Sequence, residues 1–149
     1  MSANIREATI DDAPSIARFQ VAMAMETENK QLEPAIVEAA VRAVFEDASR
    51  GFYLVGEVDG NVVGSLLVTY EWSDWRNCNM WYIQSLFVEA NHRGQGVFKN
   101  LYQQVIERAK SNDVMFVRLY VEVENERAQR VYESLGMKRM PYYMYDVKI

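Results

Sequence analysis

Apolar and polar positions along the chain predict alternating strand and helix segments. Gly, Pro and Asp-Gly positions separate these segments, and the Asp59-Gly60 dipeptide is typical of a tight hairpin turn. The predicted strands cover residues 4–10, 52–58, 61–70, 79–88, 116–121 and 137–149, and Pro141 interrupts the last of them. The predicted helices cover residues 13–28, 97–111 and 125–135, and a further helix begins at Pro34 and stops at Gly51. The order βααβββαβαβ predicts an α/β fold in which helices cover a mixed sheet.

One stretch, residues 83–102, organises the rest of the chain. It predicts a strand, a short polar loop and a helix whose apolar stripe begins with Val97 and Leu101. The loop contains Gly94 and Gly96, and glycines allow a backbone to approach a ligand closely. The N–H groups at the start of the following helix suit an anion such as a pyrophosphate. An ordinary strand-to-helix turn is the alternative interpretation.

Two common phosphate-binding loops are excluded at this position. No Gly-Lys-Ser/Thr sequence follows the glycines, so the loop is not that of a nucleoside-triphosphate-binding protein. A dinucleotide-binding loop requires a third glycine where Lys99 stands, and it opens a βαβ unit instead of following a hairpin.

A second stretch, residues 125–136, predicts a helix with a distinctive face. Asn125 is a good N-cap residue, and Tyr132 lies about two turns further along the same face. Ala128 lies between them and leaves room beside the helix. The alternative interpretation is a capped amphipathic helix with a core tyrosine.

The two stretches together resemble the GCN5-related N-acetyltransferase (GNAT) family. The sequence from Arg93 to Val97 is similar to the cofactor motif of that family, and Asn125, Ala128, Tyr132, Gly136 and Met137 are similar to its closing motif. Both motifs occur in the family's order and spacing, and the predicted element order matches along nearly the whole chain. The resemblance implies one N-acetyltransferase domain over residues 1–149, with acetyl-coenzyme A as cosubstrate.

The resemblance also implies roles for individual residues. The backbone of the 86–88 strand end would bind the pantetheine arm, and loop and helix N–H groups would bind the pyrophosphate. Asn125 would hydrogen-bond the pantetheine arm, and Tyr132 would protonate the departing thiolate as general acid. The implied cofactor-binding residues are Leu86, Phe87, Val88, Arg93, Gly94, Gln95, Gly96, Val97, Phe98, Lys99, Asn125 and Ala128.

Phe98 departs from the family pattern. It stands at the position where the motif has a final Gly or Ala. Its ring either meets the pyrophosphate or points into the core, and its place in the apolar stripe with Tyr102 and Ile106 favours the core.

The acceptor side is less well defined. An alkyl amine is protonated at pH 7, so a base or a proton-conducting water chain is required before it attacks a thioester. Glu71 is the first candidate base, because it ends a predicted central strand; a solvated strand-end acid is the alternative. The sequence around residues 69–72 and 83–88 is similar to the diamine and polyamine acetyltransferase branch, but Gln84 stands where that branch often has an acid. The candidate substrate-binding residues are Glu26, Glu28, Trp72, Trp75 and Gln84, with Asp74 a further nearby acid.

Composition narrows the remaining classes of function. A net charge of −5 argues against a nucleic-acid partner. No apolar run is long enough for a membrane span, and the first residues are too acidic for a signal peptide, which predicts a cytoplasmic protein. The single cysteine, Cys78, and the single histidine, His92, have no paired ligands, so no metal site is predicted. The aromatic 71–79 connection and the last strand also suit a homodimer.

Three hypotheses follow from the sequence. The first is an enzyme that transfers the acetyl group of acetyl-coenzyme A directly to a small or peptide-borne primary amine. The second is a non-catalytic acyl-coenzyme A-binding or interaction module on the same fold. The third is an acyltransferase that uses another acyl group or a hydroxyl acceptor. Asn125 and Tyr132 favour the first, whereas Gln84 and Phe98 leave the second open.

Overall fold

The computed structural model describes residues 2–149, which form two compact units, one ending at Leu119 and the other comprising Tyr120–Ile149. The first unit contains a five-stranded sheet in the order β1-β2-β3-β4-β5. Its strands are β1 (Asn4–Glu7), β2 (Phe52–Val58), β3 (Asn61–Ser73), β4 (Cys78–Val88) and β5 (Val117–Leu119). The first four strands pair antiparallel in succession, and β5 pairs parallel with β4. The predicted mixed α/β fold class is therefore confirmed.

Three helices cover the sheet of this unit: α1 (Ala13–Glu28), α2 (Pro34–Glu46) and α3 (Val97–Ser111). Helices α1 and α2 pack on one face, where Ile16 and Val41 join Tyr53 and Val55 of β2 in a buried cluster. Helix α2 ends before the predicted stop, because Asp47 caps a short 3-10 turn, accepting a hydrogen bond from Ser49 N–H at 3.0 Å.

Helix α3 packs closely against the opposite face of the sheet. A Cβ added to Gly56 or Gly64 would lie 3.1 Å or 3.4 Å from Cγ1 of Val97, so the absence of side chains at these two positions allows the close packing. Val97, Leu101 and Val105 are buried along α3, as the apolar stripe predicts. This packing fixes the start of α3 beside the end of β4.

The second unit contains helix α4 (Glu126–Ser134). Residues 137–149 form no strand, so the predicted terminal strand is absent from the described part of the chain. A strand requires a partner ladder, and Pro141 lacks the N–H that such a ladder uses. The single domain over residues 1–149 stays a prediction.

None of the helices within residues 2–149 is both long and apolar enough to span a membrane.

Candidate functional site

Strand β4 changes its pairing halfway along its length. It pairs with β3 almost throughout, from Ser73↔Cys78 to Gly64↔Val88. On its other side it pairs with β5 only from Trp81 to Ile83. Within residues 2–149, no strand continues this ladder beside residues 84–88. Backbone groups along this edge are available to a ligand that can pair as a strand does.

A bulge marks the point where the pairing changes. Leu67 pairs with Gln84 and Ser65 with Phe87, so β4 has one residue more than β3 between these two pairs. Ser85 has a φ of 52°, which is uncommon for a residue with a side chain. The bulge therefore bends β4 immediately after its last pair with β5.

The loop after β4 has the backbone conformation that its glycines allow. Gly94 and Gly96 have φ values of 75° and 85°, in the left-handed region. A Cβ at either glycine would have no heavy atom within 4 Å, leaving out the glycine itself and its two neighbours in the chain. Open space therefore lies beside both glycines. The first intrahelical bond of α3 runs from Asn100 N–H to Gly96 O at 2.9 Å. The preceding N–H groups lie at the positive end of the helix, where an anion is stabilised.

Arg93 fixes the start of this loop through three contacts. Its Nε donates to the Val88 carbonyl at 2.8 Å, and its Nη2 donates to Oε2 of Glu26 at 2.8 Å. Its guanidinium also lies 5.4 Å from the centre of the Phe87 ring. Arg93 thus connects the end of β4 with the end of α1.

The remaining predicted cofactor residues of this unit lie along the same stretch. Gln95 donates to the Asn91 carbonyl at 3.1 Å, Lys99 is exposed, and Phe98 is half-buried in the first turn of α3. Val97 is buried and serves the core, so only its backbone is available to a ligand. The orientation of Phe98 toward the core stays a prediction.

In the second unit, the predicted residues lie at the start and middle of α4. Asn125 caps the helix, since its Oδ1 accepts a hydrogen bond from Ala128 N–H at 3.2 Å. Tyr132 is half-buried, and burial raises the pKa of its phenol. The phenol therefore keeps its proton at neutral pH, as a general acid requires.

On the acceptor side, four polar side chains form a row on the face of β3 and β4 that also packs against α1. Tyr82 Oη donates to Oε2 of Glu71 at 3.5 Å, and Gln84 Nε2 donates to Oγ1 of Thr69 at 3.3 Å. Thr69 and Tyr82 are direct cross-strand partners. This polar row, Thr69, Glu71, Tyr82 and Gln84, contains one carboxylate beside a phenol.

The two tryptophans proposed beside Glu71 lie elsewhere. Trp72 follows Glu71 in β3, so its side chain points to the opposite face of the sheet. Trp75 lies in the turn between β3 and β4 and is 84% exposed. The aromatic side chain that the structure brings to Glu71 is Tyr82.

The two candidate acids at the end of α1 have different environments. Glu26 is held by Arg93 of the glycine loop, whereas Glu28 makes only a 3.5 Å ion pair with Lys30 nearby in the chain. Glu26 is therefore connected to the glycine loop and Glu28 is not, although both side chains are exposed.

A separate cleft of about 360 Å³ lies at the other end of the sheet. Phe52, Tyr70 and Trp81 line it, and Arg108 pairs there with Glu7 at 3.0 Å. No predicted site residue lines this cleft in the described part of the chain. The residues of the first predicted motif and the open strand edge lie instead at the bulged end of β4.

Two contributors were not identified from the sequence. The positive φ of Ser85 has no local signal, because Ser is not a residue that usually adopts it. Thr69 could have been identified from strand alternation within β3, which places it on the face of Glu71.

Among residues 2–149, no group of three or more His, Cys, Asp or Glu side chains is arranged to bind a metal ion. His92 Nδ1 lies 3.7 Å from Oε2 of Glu89.

Comparison with known proteins agrees with this geometry. The model of the acetyltransferase (GNAT) family matches residues 19–137. The thialysine N-epsilon-acetyltransferase of Mus musculus is 32% identical over 144 residues, covering 91% of this chain and 84% of the mouse protein. The protein of the same name from Bos taurus is 34% identical over 82 residues, covering 54% of this chain; the match spans about half, 48%, of the cattle protein.

A solved structure supports the comparison along the full length of the chain. The crystal structure of a possible acetyltransferase from Clostridium difficile 630 superposes with a TM-score of 0.93 and 39% sequence identity. The superposition covers 100% of this chain and 99% of the other.

Proposed function

Because the chain belongs to the acetyltransferase (GNAT) family, we propose that it transfers an acetyl group from acetyl-coenzyme A to a primary amine by direct attack in a ternary complex. The observation that carries the proposal is the end of β4. There the strand leaves β5, bulges at Ser85 and leads into a loop with two left-handed glycines at the start of α3. This combination offers a strand edge for amides and a helix start for phosphates.

The cosubstrate fits the donors that this chain presents. The edge of Leu86, Phe87 and Val88 would pair with the amides of the pantetheine arm. The N–H groups of the 94–99 segment would hold the pyrophosphate, in the open space beside Gly94 and Gly96. Asn125 and Ala128 would contact the pantetheine arm from α4. When bound, acetyl-coenzyme A supplies the activated acetyl group.

Glu71 is the proposed base. An alkyl ammonium must lose a proton before its nitrogen can attack, and a carboxylate near the acceptor can accept that proton directly or through water. The Tyr82 phenol contacts the Glu71 carboxylate and holds it on the face of the polar row. Gln84 is held by Thr69 and acts as a hydrogen-bonding group that orients the acceptor.

Tyr132 is the proposed acid. A thiolate leaves more readily when a proton is delivered to sulfur, and a thiol has a pKa of about 8.5. Burial raises the pKa of Tyr132, so the phenol is protonated throughout the neutral range. Its proton then passes to sulfur as the amide forms.

The acceptor is proposed to be a primary amine on a short alkyl chain or on a peptide. The names of the mouse and cattle relatives specify the ε-amine of thialysine as the substrate of those proteins. The polar row offers one carboxylate and several hydrogen-bonding groups, which suit one cationic amine.

The experiment is a thiol-release assay with acetyl-coenzyme A across a panel containing thialysine, lysine, spermidine, short diamines and a lysine-containing peptide. We expect release above hydrolysis with at least one amine. Tyr132→Phe should lower kcat about 100-fold while the Kd for acetyl-coenzyme A changes less than about twofold. Tyr142→Phe, which alters an exposed phenol, is the control and should leave kcat unchanged.

A non-catalytic acyl-coenzyme A-binding module is the second candidate, favoured by the neutral Gln84 in the polar row. Tight acetyl-coenzyme A binding with no thiol release across the panel would support it and contradict the enzyme. The cytoplasmic location and the homodimer stay predictions.

A further inference from the structure

Arg118 brings a positive charge to the face of the sheet that carries the polar row. It lies in β5, and its partner in the parallel ladder is Tyr82 of β4. Directly paired residues of neighbouring strands point to the same face of a sheet, so the Arg118 side chain shares the face of Tyr82 and the rest of the polar row. Because neighbouring strands are about 4.8 Å apart, Arg118 lies next to that row.

The charge of Arg118 has no acidic partner among residues 2–149. Its guanidinium lies 5.2 Å from the centre of the Phe116 ring, and its Nε is buried without a hydrogen-bond partner. A partly buried guanidinium whose N–H groups are incompletely paired is stabilised by an anion that accepts hydrogen bonds from the remaining groups. Arg118 is therefore suited to binding an anionic group.

A second arginine increases the positive charge at this end of the row. Arg76 of the β3–β4 turn lies 5.1 Å from the centre of the Phe116 ring, and within the described residues it too has no acidic partner. Two like charges beside one ring repel each other, and an anion bound nearby reduces that repulsion. Arg76 is exposed and lies outside the strand ladder, so Arg118 is the arginine that the sheet positions beside the row.

The polar row, extended to Arg118, has a negative end and a positive end. Glu71 lies in β3 and Arg118 lies in β5, with Tyr82 of β4 between them. Their two strands are therefore about 10 Å apart. A molecule with an ammonium and a carboxylate joined by an alkyl chain complements both charges, whereas a diamine would bring a second cation to Arg118.

We propose that Arg118 binds a carboxylate of the acceptor, so that the preferred acceptor is a free amino acid with an amine in its side chain. The side-chain amine then lies at Glu71 and the α-carboxylate at Arg118. This role of Arg118 rests on the amine acetylation proposed above. It selects a free amino acid over a diamine and over a lysine inside a peptide, whose carboxyl group is an amide. All the protein groups involved belong to the first unit.

Lysine, lysine amide and cadaverine test this role, because all three carry an alkyl amine and differ at the other end. Lysine has a carboxylate there, lysine amide has a neutral carboxamide, and cadaverine has neither. In the thiol-release assay, kcat/KM of the wild type should be at least about tenfold higher for lysine than for lysine amide, because the amide loses a charge-assisted hydrogen bond. Most of the difference should lie in KM, and cadaverine should be no better than lysine amide.

Substitutions of Arg118 should change the ratio of kcat/KM for lysine to kcat/KM for lysine amide. Arg118→Gln should lower this ratio to about 1, and so should Arg118→Met, which keeps an apolar stem beside Phe116. Arg118→Lys keeps the charge but loses the planar fork, so its ratio should be intermediate. Arg76→Gln is the matched control, because it removes the same charge from the same ring, and it should keep the ratio within about twofold of the wild type. Circular dichroism identifies the variants that fold.

The outcomes separate this role of Arg118 from the acetyl transfer itself. A ratio near 1 in the wild type would overturn the role of Arg118 and leave the acetyl transfer standing. A ratio that the neutral Arg118 variants leave unchanged would do the same, as would an equal fall in Arg76→Gln, which would show a general effect of positive charge. Thiol release with none of the amines would contradict the acetyl transfer and, with it, the role of Arg118.

Discussion

The two halves of β4 differ in their pairing. In the first half, Met80 to Ile83 are buried, and Trp81 to Ile83 pair with strands on both sides. Trp81 packs with Phe52 and Tyr70 at ring-centre distances of 5.2 Å and 6.2 Å. In the second half, residues 84–86 are half-buried, and the ladder with β5 is missing from the described residues.

The difference separates a half that is paired on both sides from a half that is proposed to bind the cosubstrate. The first half satisfies its backbone groups inside the sheet, so its substitution should affect folding. The second half leaves an edge available and leads into the left-handed glycines, so its substitution should affect ligand binding. Each prediction below tests that division.

The largest expected effect lies in the paired half. Trp81→Ala should lower the free energy of unfolding by about 3–5 kcal/mol, because it removes a buried aromatic side chain and leaves a cavity. Leu86→Ala in the open half, where the side chain is half-buried, should cost about 1 kcal/mol. Urea unfolding measures both. Equal losses for the two variants would contradict the division.

The next effect separates backbone strain from ligand binding. Gly96→Ala and Gly60→Ala both place a side chain at a positive φ, 85° and 77°, with open space beside it. Each should lower the free energy of unfolding by about 1 kcal/mol. Only Gly96→Ala should raise the Kd for acetyl-coenzyme A, by about tenfold. Calorimetric titration measures this Kd, and an equal change in Gly60→Ala would show that strain alone is responsible.

The smallest effect concerns the brace between Arg93 and Glu26. This ion pair is partly exposed, so Glu26→Gln should change the free energy of unfolding by less than about 0.5 kcal/mol. Because the pair positions the glycine loop, the Kd for acetyl-coenzyme A should rise about two- to threefold at low salt, with a smaller change at high salt.

Glu28→Gln is the matched control for the brace. This substitution removes a carboxylate from the same end of α1. Within the described residues, the only ion pair of Glu28 is with the nearby Lys30. Its Kd should equal that of the wild type. A rise as large as that of Glu26→Gln would indicate a general charge effect at the end of α1.

The sequence predicted the parts of this molecule that depend on local pattern. The predicted boundaries of α1 match, and β4 and α3 agree within a residue, because apolar periodicity and glycine positions are local signals. The predicted strand at residues 116–121 is shorter in the structure, Val117–Leu119, because a ladder needs a partner that the sequence does not specify.

Other features depend on contacts between distant residues. The pairing of Arg93 with Glu26 joins positions far apart in the chain, and the bulge at Ser85 depends on the register between β3 and β4. The absence of a strand in residues 137–149 has the same origin, since strand-forming residues do not supply their own partner.

Hydrogen–deuterium exchange with and without acetyl-coenzyme A tests the central claim most directly. The open half of β4 and the glycine loop are proposed to receive the ligand, so amides in residues 84–88 and 94–99 should exchange at least about tenfold more slowly when it is present. Amides of residues 81–83, where β4 is already paired on both sides, should change little. Unchanged exchange throughout residues 84–99 under saturating ligand would contradict the account.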